Sequence, residues 1–261
     1  MKIEGVVFDW AGTTVDYGCF APVQAFVEVF REFGIAVTME ETRKPMGMLK
    51  RDHIQTMLAM PRILEVWKQV HGRDVEEMDI DAMHDIFTKK LMDILDQFAD
   101  PKPYVVETIA KLRDMGLAIG STTGYTDQMM AVVTNVAKQK GYAPDFWITP
   151  NSVGNYGRPY PYMIFENMKQ LHLQDVRAVV KVGDTISDIK EGIAAGVITV
   201  GILEGSSLMG LTQQEYEAMP LQERNMLCDR LTKEYQQAGA DYVISNIRML
   251  PALINELHHS V

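Results

Sequence analysis

The fold is decided by residues 6–16, which read VVFDWAGTTVD. An apolar run ends abruptly in Asp9, as a buried strand of a parallel sheet does. In open α/β sheets the chemistry takes place just beyond the carboxyl ends of the strands, so Asp9 lies where a reactive group belongs. Gly12 permits a tight turn or a close backbone approach, and Thr13 and Thr14 add hydroxyls. We therefore predict that Asp9 is reactive, with a carboxylate that only caps a turn as the alternative.

The segment behind this strand has helical patterns. We predict helices over residues 21–33, 45–60, 61–70 and 79–98, and the last has its apolar residues on one stripe. No strand pattern occurs between residues 18 and 99, so we predict an all-helical cap domain over residues 19–99. The aromatic face of the first helix suits an interface between two chains and a core within one chain equally well.

The remainder of the chain alternates between helices and strands. We predict strands at residues 117–121, 146–149, 178–182, 197–202 and 242–244, each preceded by a helix, with a long polar helical excursion over 212–238. This alternation indicates a parallel, doubly wound sheet. The predicted fold is α/β: a Rossmann-like core of residues 1–18 and 100–261, into which the helical cap is inserted.

Composition excludes several classes of function. The net charge of −10 argues against nucleic-acid binding, and it requires local cations for any anionic substrate. Cys19 and Cys228 lie far apart and lack metal-ligand spacing, which indicates a reducing compartment without a disulfide. Met1 and Lys2 run straight into the first strand, and no apolar run approaches the length of a membrane span. We therefore expect a cytoplasmic protein with no membrane partner.

A second strand in this sequence also ends in a carboxylate. Asp184 follows the strand at 178–182, and Asp188 lies four residues further on, where the next helix begins. Oxygen ligands of this kind suit Mg²⁺. We predict that Asp9 and Asp184 hold the ion with support from Asp188, although a carboxylate at a helix start can also simply favour the helix dipole.

Two further loops offer anion-binding groups. Residues 120–124, GSTTG, place hydroxyls and backbone N–H groups after a strand and ahead of a helix. Residues 157–161, GRPYP, hold Arg158 in a rigid turn, and a guanidinium matches the geometry of a phosphate group. Taken alone, the first loop reads equally as a helix cap and the second as a solvated surface arginine.

The predicted cap contains one unusual helix face. Met46, Lys50 and His53 share it by helical spacing. A lysine beside methionine under a lid loses solvation, its pKa falls, and its neutral amine can form a Schiff base with an aldehyde. The alternative is an ordinary amphipathic helix with a solvated lysine.

Four of these segments belong to the predicted core: the loops at 9–16, 120–124, 157–161 and 183–188. Their residue types and their order along the chain resemble those of the haloacid dehalogenase superfamily, and the resemblance covers the whole of the predicted core. The resemblance implies that Asp9 is a nucleophile that accepts a phosphoryl group, with Mg²⁺ offsetting the charge. Phosphatases of that superfamily carry a second acid two residues after the nucleophile, and Ala11 stands there in this chain. That acid protonates an alkoxide leaving group, so its loss disfavours an ordinary phosphomonoesterase or phosphomutase.

A closer resemblance covers nearly the entire chain. The segments DWAGTTVD at 9–16, RKPMGMLKRDH at 43–53, GSTTGYT at 120–126, GRPYP at 157–161 and GDTISD at 183–188 look like those of the phosphonoacetaldehyde hydrolase (phosphonatase) family. The resemblance implies hydrolysis of a small phosphonate with Mg²⁺, in the degradation of 2-aminoethylphosphonate, usually by a homodimer. A protonated imine on Lys50 would accept the electrons of the broken carbon–phosphorus bond, so that no proton is needed where Ala11 stands.

The same resemblance assigns roles to the candidate residues. Catalysis is assigned to Asp9, Lys50 and His53, with His53 moving protons during the imine chemistry. The metal is assigned to Asp9, Asp184 and the backbone carbonyl of Ala11, supported by Asp188 and Thr13. The substrate is assigned to Arg158, Met46, Gly47 and one hydroxyl of residues 121–123; Thr123 fits the family motif best, with Ser121 and Thr122 as the other registers.

Two alternatives remain at this point. One is another capped enzyme of the superfamily, such as a phosphatase or a dehalogenase. The other is a non-catalytic protein that binds a phosphorylated ligand, which the retention of Asp9, Asp184 and Lys50 disfavours.

Overall fold

A six-stranded parallel sheet forms the centre of the structure, a computed structural model that describes residues 2–259. The strands are β1 (Gly5–Phe8), β2 (Ala118–Thr122), β3 (Phe146–Ile148), β4 (Val179–Gly183), β5 (Ile198–Ile202) and β6 (Tyr242–Ile244). Their order across the sheet is β3-β2-β1-β4-β5-β6. The chain thus passes from β1 to one side for β2 and β3, and then to the other side for the last three strands. A crevice for ligands opens where such a switch occurs, here beyond the carboxyl ends of β1 and β4.

Strand β1 lies in the middle of the sheet because its residues are apolar on both faces. Val6, Val7 and Phe8 are completely buried, and each pairs in parallel with both β2 and β4. Neighbouring strands keep the same register, with Phe8 beside Ser121 on one side and Val182 on the other. The residues that follow these three strand ends therefore meet at one edge of the sheet.

Five helices form the segment inserted between β1 and the helix that leads into β2: α1 (Phe20–Glu32), α2 (Met39–Arg43), α3 (Lys50–Leu58), α4 (Pro61–His71) and α5 (Glu77–Ile94), followed by a 3₁₀ turn at Leu95–Phe98. They pack on one another around Phe26, Phe30, Trp67 and Phe87, all completely buried. The aromatic face of α1 is therefore part of this chain's own core. No strand lies between β1 and β2 in this described segment, as predicted.

The other helices follow the inserted segment: one precedes β2, and the rest lie between or after the later strands. They are α6 (Val105–Asp114), α7 (Asp127–Gln139), α8 (Tyr162–Gln170), α9 (Ile186–Ala195), α10 (Gln213–Ala218), α11 (Leu221–Gln237) and α12 (Leu250–His259). The α/β class with an inserted helical segment is confirmed. The boundaries at 18/19 and 99/100 stay predictions, and the predicted ends of the core, residues 1 and 260–261, lie outside the described residues.

The two connections between the sheet and the helical segment run side by side. Val15 forms a bridge to Pro101, and the Lys102 N–H donates to the carbonyl of Thr14 at 2.8 Å. Both ends of the insertion therefore leave the sheet at one place, beside the loop that carries Asp9. None of the helices within residues 2–259 is long and apolar enough to cross a membrane, and the cytoplasmic location stays a prediction.

Three helix predictions need correction. The helix predicted over 45–60 begins only at Lys50, because Gly47 takes a backbone φ of +88° that no helix allows. A short helix, α2, was missed although Thr38 and Glu41 form a capping box at its start. The excursion at 212–238 is two helices, α10 and α11, which are separated at Pro220.

Candidate active site

The loop after β1 is tightly folded around one carbonyl group. The N–H groups of Thr13, Thr14 and Val15 all approach the carbonyl of Trp10, at 2.8–3.1 Å. This turn leaves Asp9 at the strand end and brings Gly12 against Asp184, where a Cβ would come within 2.1 Å of a carboxylate oxygen. Only glycine fits at residue 12, because its φ of +89° is also in the left-handed region. The close approach brings the two predicted metal ligands together.

Asp9, Asp184 and Asp188 form a cluster of buried carboxylates. One oxygen of each lies within 4.8 Å of the others. Thr13 Oγ1 donates to Asp184 Oδ1 at 3.0 Å and lies 3.4 Å from Asp9 Oδ2. Burial, together with repulsion from the other two carboxylates, raises the pKa of Asp184 well above its ordinary value. A cation bound between these groups would relieve that repulsion.

The cluster is compensated unevenly by the protein's own cations. Arg158 pairs with Asp9 at 2.6 Å and with Asp188 at 3.1 Å. Burial opposes ionisation of Asp188, but Arg158 and Lys181 outweigh it and lower its pKa. Burial raises the pKa of Asp9, against the opposing effect of Arg158. Asp184 has no ion-pair partner among residues 2–259, and this is where a divalent cation fits the donor set.

Arg158 is fixed from behind by a buried network. Its Nε donates to Glu191 Oε2 at 3.0 Å, and an Nη donates to Thr122 Oγ1 at 3.0 Å. Lys181 contacts the same glutamate at 3.1 Å, the same threonine at 2.7 Å and Asp188 at 3.0 Å. The predicted surface alternative for Arg158 is therefore wrong: the guanidinium is buried and pairs with Asp9.

The three hydroxyls at the end of β2 face different ways. Ser121 Oγ accepts a hydrogen bond from Trp10, and Thr122 Oγ1 belongs to the buried network. Thr123 lines the cavity beside Asp9, and its Oγ1 accepts from the N–H of Tyr125 at 3.1 Å. Of the three registers, Thr123 is the one whose side chain reaches the cavity.

Lys50 enters the cavity from the helical segment. It is the first residue of α3 and is buried, with 5% of its surface exposed. Its Nζ lies 5.0 Å from the ring centre of Tyr125 and 6.0 Å from that of Phe26, and no carboxylate within residues 2–259 pairs with it. Burial lowers the pKa of Lys50, and the positive charge of Arg158 adds to the effect. The predicted desolvated lysine is thus present, at a helix start rather than on a helix face.

Met46 and Gly47 form the turn that closes the cavity above Asp9. Ser187 Oγ donates to the carbonyl of Met46 at 3.1 Å. A Cβ on Gly47 would meet Thr185 Oγ1 at 2.4 Å, so this turn lies directly on the loop after β4. Both residues line the cavity, as predicted, although Met46 lies outside α3.

His53 lies one turn behind Lys50 and does not line the cavity. It is completely buried, its Nε2 is 2.8 Å from the carbonyl of Thr42, and its ring stacks on Phe26 at 3.8 Å. Burial, and then the charge of Lys50, lower the pKa of His53 well below its ordinary value. Its Nδ1 has no partner among the described residues. The catalytic role of His53 stays a prediction.

The cavity is small. Its volume is about 20 Å³, which holds about one water. Its lining combines the helical segment with the sheet edge: Asp9, Ala11, Cys19, Met46, Gly47, Lys50, Thr123, Gly124, Tyr125, Arg158 and Thr185. A substrate of several heavy atoms needs more room than this, so we expect the helical segment to move away from the sheet when one enters.

Sequence reasoning missed several residues around this cavity. Cys19, Gly124, Tyr125 and Thr185 line it. Lys181 and Glu191 hold Arg158 from behind, and Lys102 Nζ donates to the carbonyls of Gly12 and Glu204. Lys181 had a signal: it is the one charge in the apolar run VVKV at 179–182, and a charge in a buried strand needs partners.

Known proteins with the same pattern are hydrolases. The family described as haloacid dehalogenase-like hydrolase matches residues 3–196. A phosphonoacetaldehyde hydrolase of Lysinibacillus sphaericus is 51% identical over 261 residues, covering 100% of this chain and 97% of that protein.

Two further relatives extend this finding. A bifunctional phosphonoacetaldehyde hydrolase/aminoethylphosphonate transaminase of Clostridioides difficile is 48% identical, covering 99% of this chain and 40% of that protein. The crystal structure of a phosphonoacetaldehyde hydrolase-like protein from Oleispira antarctica superimposes with a TM-score of 0.96 at 35% identity, covering 99% of this chain and 94% of that one.

Proposed function

The chain belongs to the haloacid dehalogenase-like hydrolases and, within them, to the phosphonoacetaldehyde hydrolases, and on that premise we propose that it hydrolyses phosphonoacetaldehyde to acetaldehyde and phosphate. The observation that carries the proposal is a buried lysine, Lys50, which has no ion-pair partner among residues 2–259 and shares a small cavity with Asp9 and Ala11. An amine supports the breaking of a carbon–phosphorus bond, for which the missing acid at residue 11 would be of no use.

Lys50 acts first in the proposed reaction. Its neutral amine attacks the aldehyde carbon and water leaves, which gives a protonated imine. The lowered pKa of Lys50 supports this step, because it increases the fraction of neutral amine near pH 7. The rings of Phe26 and Tyr125 stabilise the positive nitrogen by cation–π contact without providing a carboxylate that would keep the lysine protonated.

Asp9 then attacks phosphorus. The carbon–phosphorus bond breaks as an aspartyl phosphate forms, and the bonding electrons move into the enamine, which neutralises the imine nitrogen. A proton added to the enamine carbon and one water release acetaldehyde and restore Lys50. A second water releases phosphate and restores Asp9, so the net reaction consumes one water.

The phosphonate group is held by Arg158 and Thr123 in this proposal. Both reach the cavity beside Asp9, and the network behind Arg158 keeps its guanidinium fixed before substrate arrives. Met46 and Gly47 close the cavity over the substrate. His53, behind Lys50, is proposed to move protons in the imine steps through its Nδ1, which has no partner within residues 2–259.

The proposed metal is Mg²⁺, because the donors are hard carboxylate and carbonyl oxygens. Asp9, Asp184 and the carbonyl of Ala11 would hold it, with Thr13 and Asp188 in support, at the uncompensated side of the carboxylate cluster. Bound there, Mg²⁺ supplies positive charge that offsets the charge of the phosphoryl group in transfer.

The chain's place in metabolism and its assembly belong to the same proposal. The fusion of the Clostridioides difficile relative to an aminoethylphosphonate transaminase supports a role in degrading 2-aminoethylphosphonate. An exposed cluster of Tyr156, Tyr160 and Tyr162, whose ring centres lie 5.4–5.9 Å apart, supports a homodimer.

The proposed function is tested by acetaldehyde release from phosphonoacetaldehyde, with and without Mg²⁺. The wild type should be active only with the ion, whereas Asp9→Asn and Lys50→Arg should lose turnover. Lys50→Arg keeps the charge but has no neutral amine, so substantial activity in this variant would reduce Lys50 to an electrostatic role. Faster hydrolysis of phosphate monoesters than of phosphonoacetaldehyde would favour the capped phosphatase instead.

A further inference from the structure

Arg43 connects the helical segment to the sheet edge at a point outside the cavity. It is the last residue of α2, and its Nη1 donates to the carbonyl of Gly18 at 2.6 Å and to the carbonyl of Ser207 at 3.1 Å. The guanidinium carbon lies 4.9 Å from the centre of the Phe20 ring. One side chain of the helical segment thus holds both the start of the insertion and the loop after β5.

The loop that Arg43 holds also orients Asp184. The N–H of Ser207 donates to Asp184 Oδ2 at 2.7 Å, while Thr13 Oγ1 donates to Oδ1 at 3.0 Å. These two donors fix the direction of the Asp184 carboxylate. Ser207 makes both contacts: its carbonyl accepts from Arg43, and its N–H donates to Asp184. A shift of Arg43 is therefore transmitted to Asp184 through a single residue.

The contact is closely packed on both sides. A Cβ on Gly210 would lie 2.9 Å from Arg43 Nε, so the loop wraps around the guanidinium. On the other side, Ser187 binds the carbonyl of Met46, three residues after Arg43. Residues 43–49 therefore touch both loops that carry or orient the carboxylates of the cluster.

We propose that Arg43 is a positioning residue that couples closure of the helical segment to binding of the divalent cation. Closure places Arg43 on the carbonyl of Ser207, and this contact holds the Ser207 N–H against Asp184. Because coupling between two equilibria is reciprocal, the bound cation must in turn favour the closed segment. The inference rests on the proposed function only in taking Asp184 as a metal ligand.

The first test measures the affinity for Mn²⁺, used as the probe, by titration calorimetry. Arg43→Met should weaken binding by roughly 5- to 50-fold, within the range that couplings between sites usually span. Arg43→Lys retains a donor of shorter reach and should fall in between. Lys44→Met is the matched control, because it removes the same charge one residue away from an exposed side chain, and it should bind like the wild type.

The second test is decided by the wild type even if a variant fails to fold, and the two variants serve as comparisons. Mn²⁺ should slow amide hydrogen exchange in residues 43–49 of the wild type and of Lys44→Met, but not in Arg43→Met. An unchanged Mn²⁺ affinity in Arg43→Met would overturn the proposal, as would wild-type exchange in 43–49 that ignores Mn²⁺. Neither measurement needs turnover. If Mn²⁺ binding and closure prove coupled in a wild type that does not hydrolyse phosphonoacetaldehyde, the proposed reaction is refuted and the role of Arg43 stands.

Discussion

Replacing Glu191 with glutamine tests the buried network that fixes Arg158. Glu191 Oε2 accepts from Arg158, Lys181 and Thr122 at 3.0–3.1 Å, and Oε1 has no partner among the described residues. Glutamine has the same shape as glutamate. Its carbonyl oxygen can take the place of Oε2, and its amide nitrogen can take the place of Oε1. The substitution therefore removes one negative charge and little else.

The magnitude follows from the burial of the pair. Removing one partner of a buried ion pair costs about 3–5 kcal/mol, and we expect about 3 kcal/mol because the acceptor oxygen remains. For a chain of this length, a loss of that size lowers Tm by roughly 6–12 °C. Thermal and guanidinium unfolding without divalent cations measure it.

A double variant separates charge from packing. Lys181→Met with Glu191→Gln removes one cation and one anion together, so it should lose less stability than the two single variants summed. A Glu191→Gln protein that loses under about 1 kcal/mol, or a strictly additive double variant, would refute the view that buried charge balance holds this network.

Three further predictions concern the cavity. Lys50 should react with formaldehyde and cyanoborohydride faster as pH rises. The rate should level off below the ordinary lysine pKa of about 10.4, because burial lowers the pKa of Lys50. Mass spectrometry of the digest measures the extent of labelling, and a plateau at a pH no lower than that of exposed lysines would contradict the prediction. Asp184→Asn should weaken Mn²⁺ binding by at least ~10-fold in calorimetry, and unaltered affinity would place the metal elsewhere. Gly124→Ala should lower kcat/KM by about 10-fold. The added methyl would lie 2.9 Å from the carbonyl oxygen of Met48 and would hold the helical segment away from the sheet. A kcat/KM equal to that of the wild type would show that the closed arrangement tolerates the methyl.

The sheet and its reactive edge followed from sequence because the strands are apolar runs, and two of them, β1 and β4, are each followed directly by a carboxylate. Asp9 and Asp184 were predicted to lie together on this basis, and the parallel register of β1 and β4 places them so. Register between neighbouring strands depends on backbone pairing, which a repeated apolar pattern already constrains.

The surroundings of the site were harder to predict, because they depend on contacts between distant segments. Helical spacing placed Lys50 on a helix face, yet it is buried because Gly47 turns the chain onto the loop after β4. Ser121 and Thr122 do not reach the cavity because they bind Trp10 and Glu191, which lie far away in the chain. Likewise, nothing in the sequence near Arg43 indicates its contact with Ser207.

In the proposed reaction Lys50 carries the substrate as an imine, and borohydride reduction would trap that imine as a stable amine. The wild type, incubated with phosphonoacetaldehyde and Mg²⁺ and quenched with borohydride during turnover, is digested and mapped by mass spectrometry. We expect Lys50 to carry a substrate-derived N-alkyl group, inactivation in proportion to its labelling, and no adduct in Lys50→Arg. An active enzyme that is quenched in the same way with Lys50 unmodified would contradict the account.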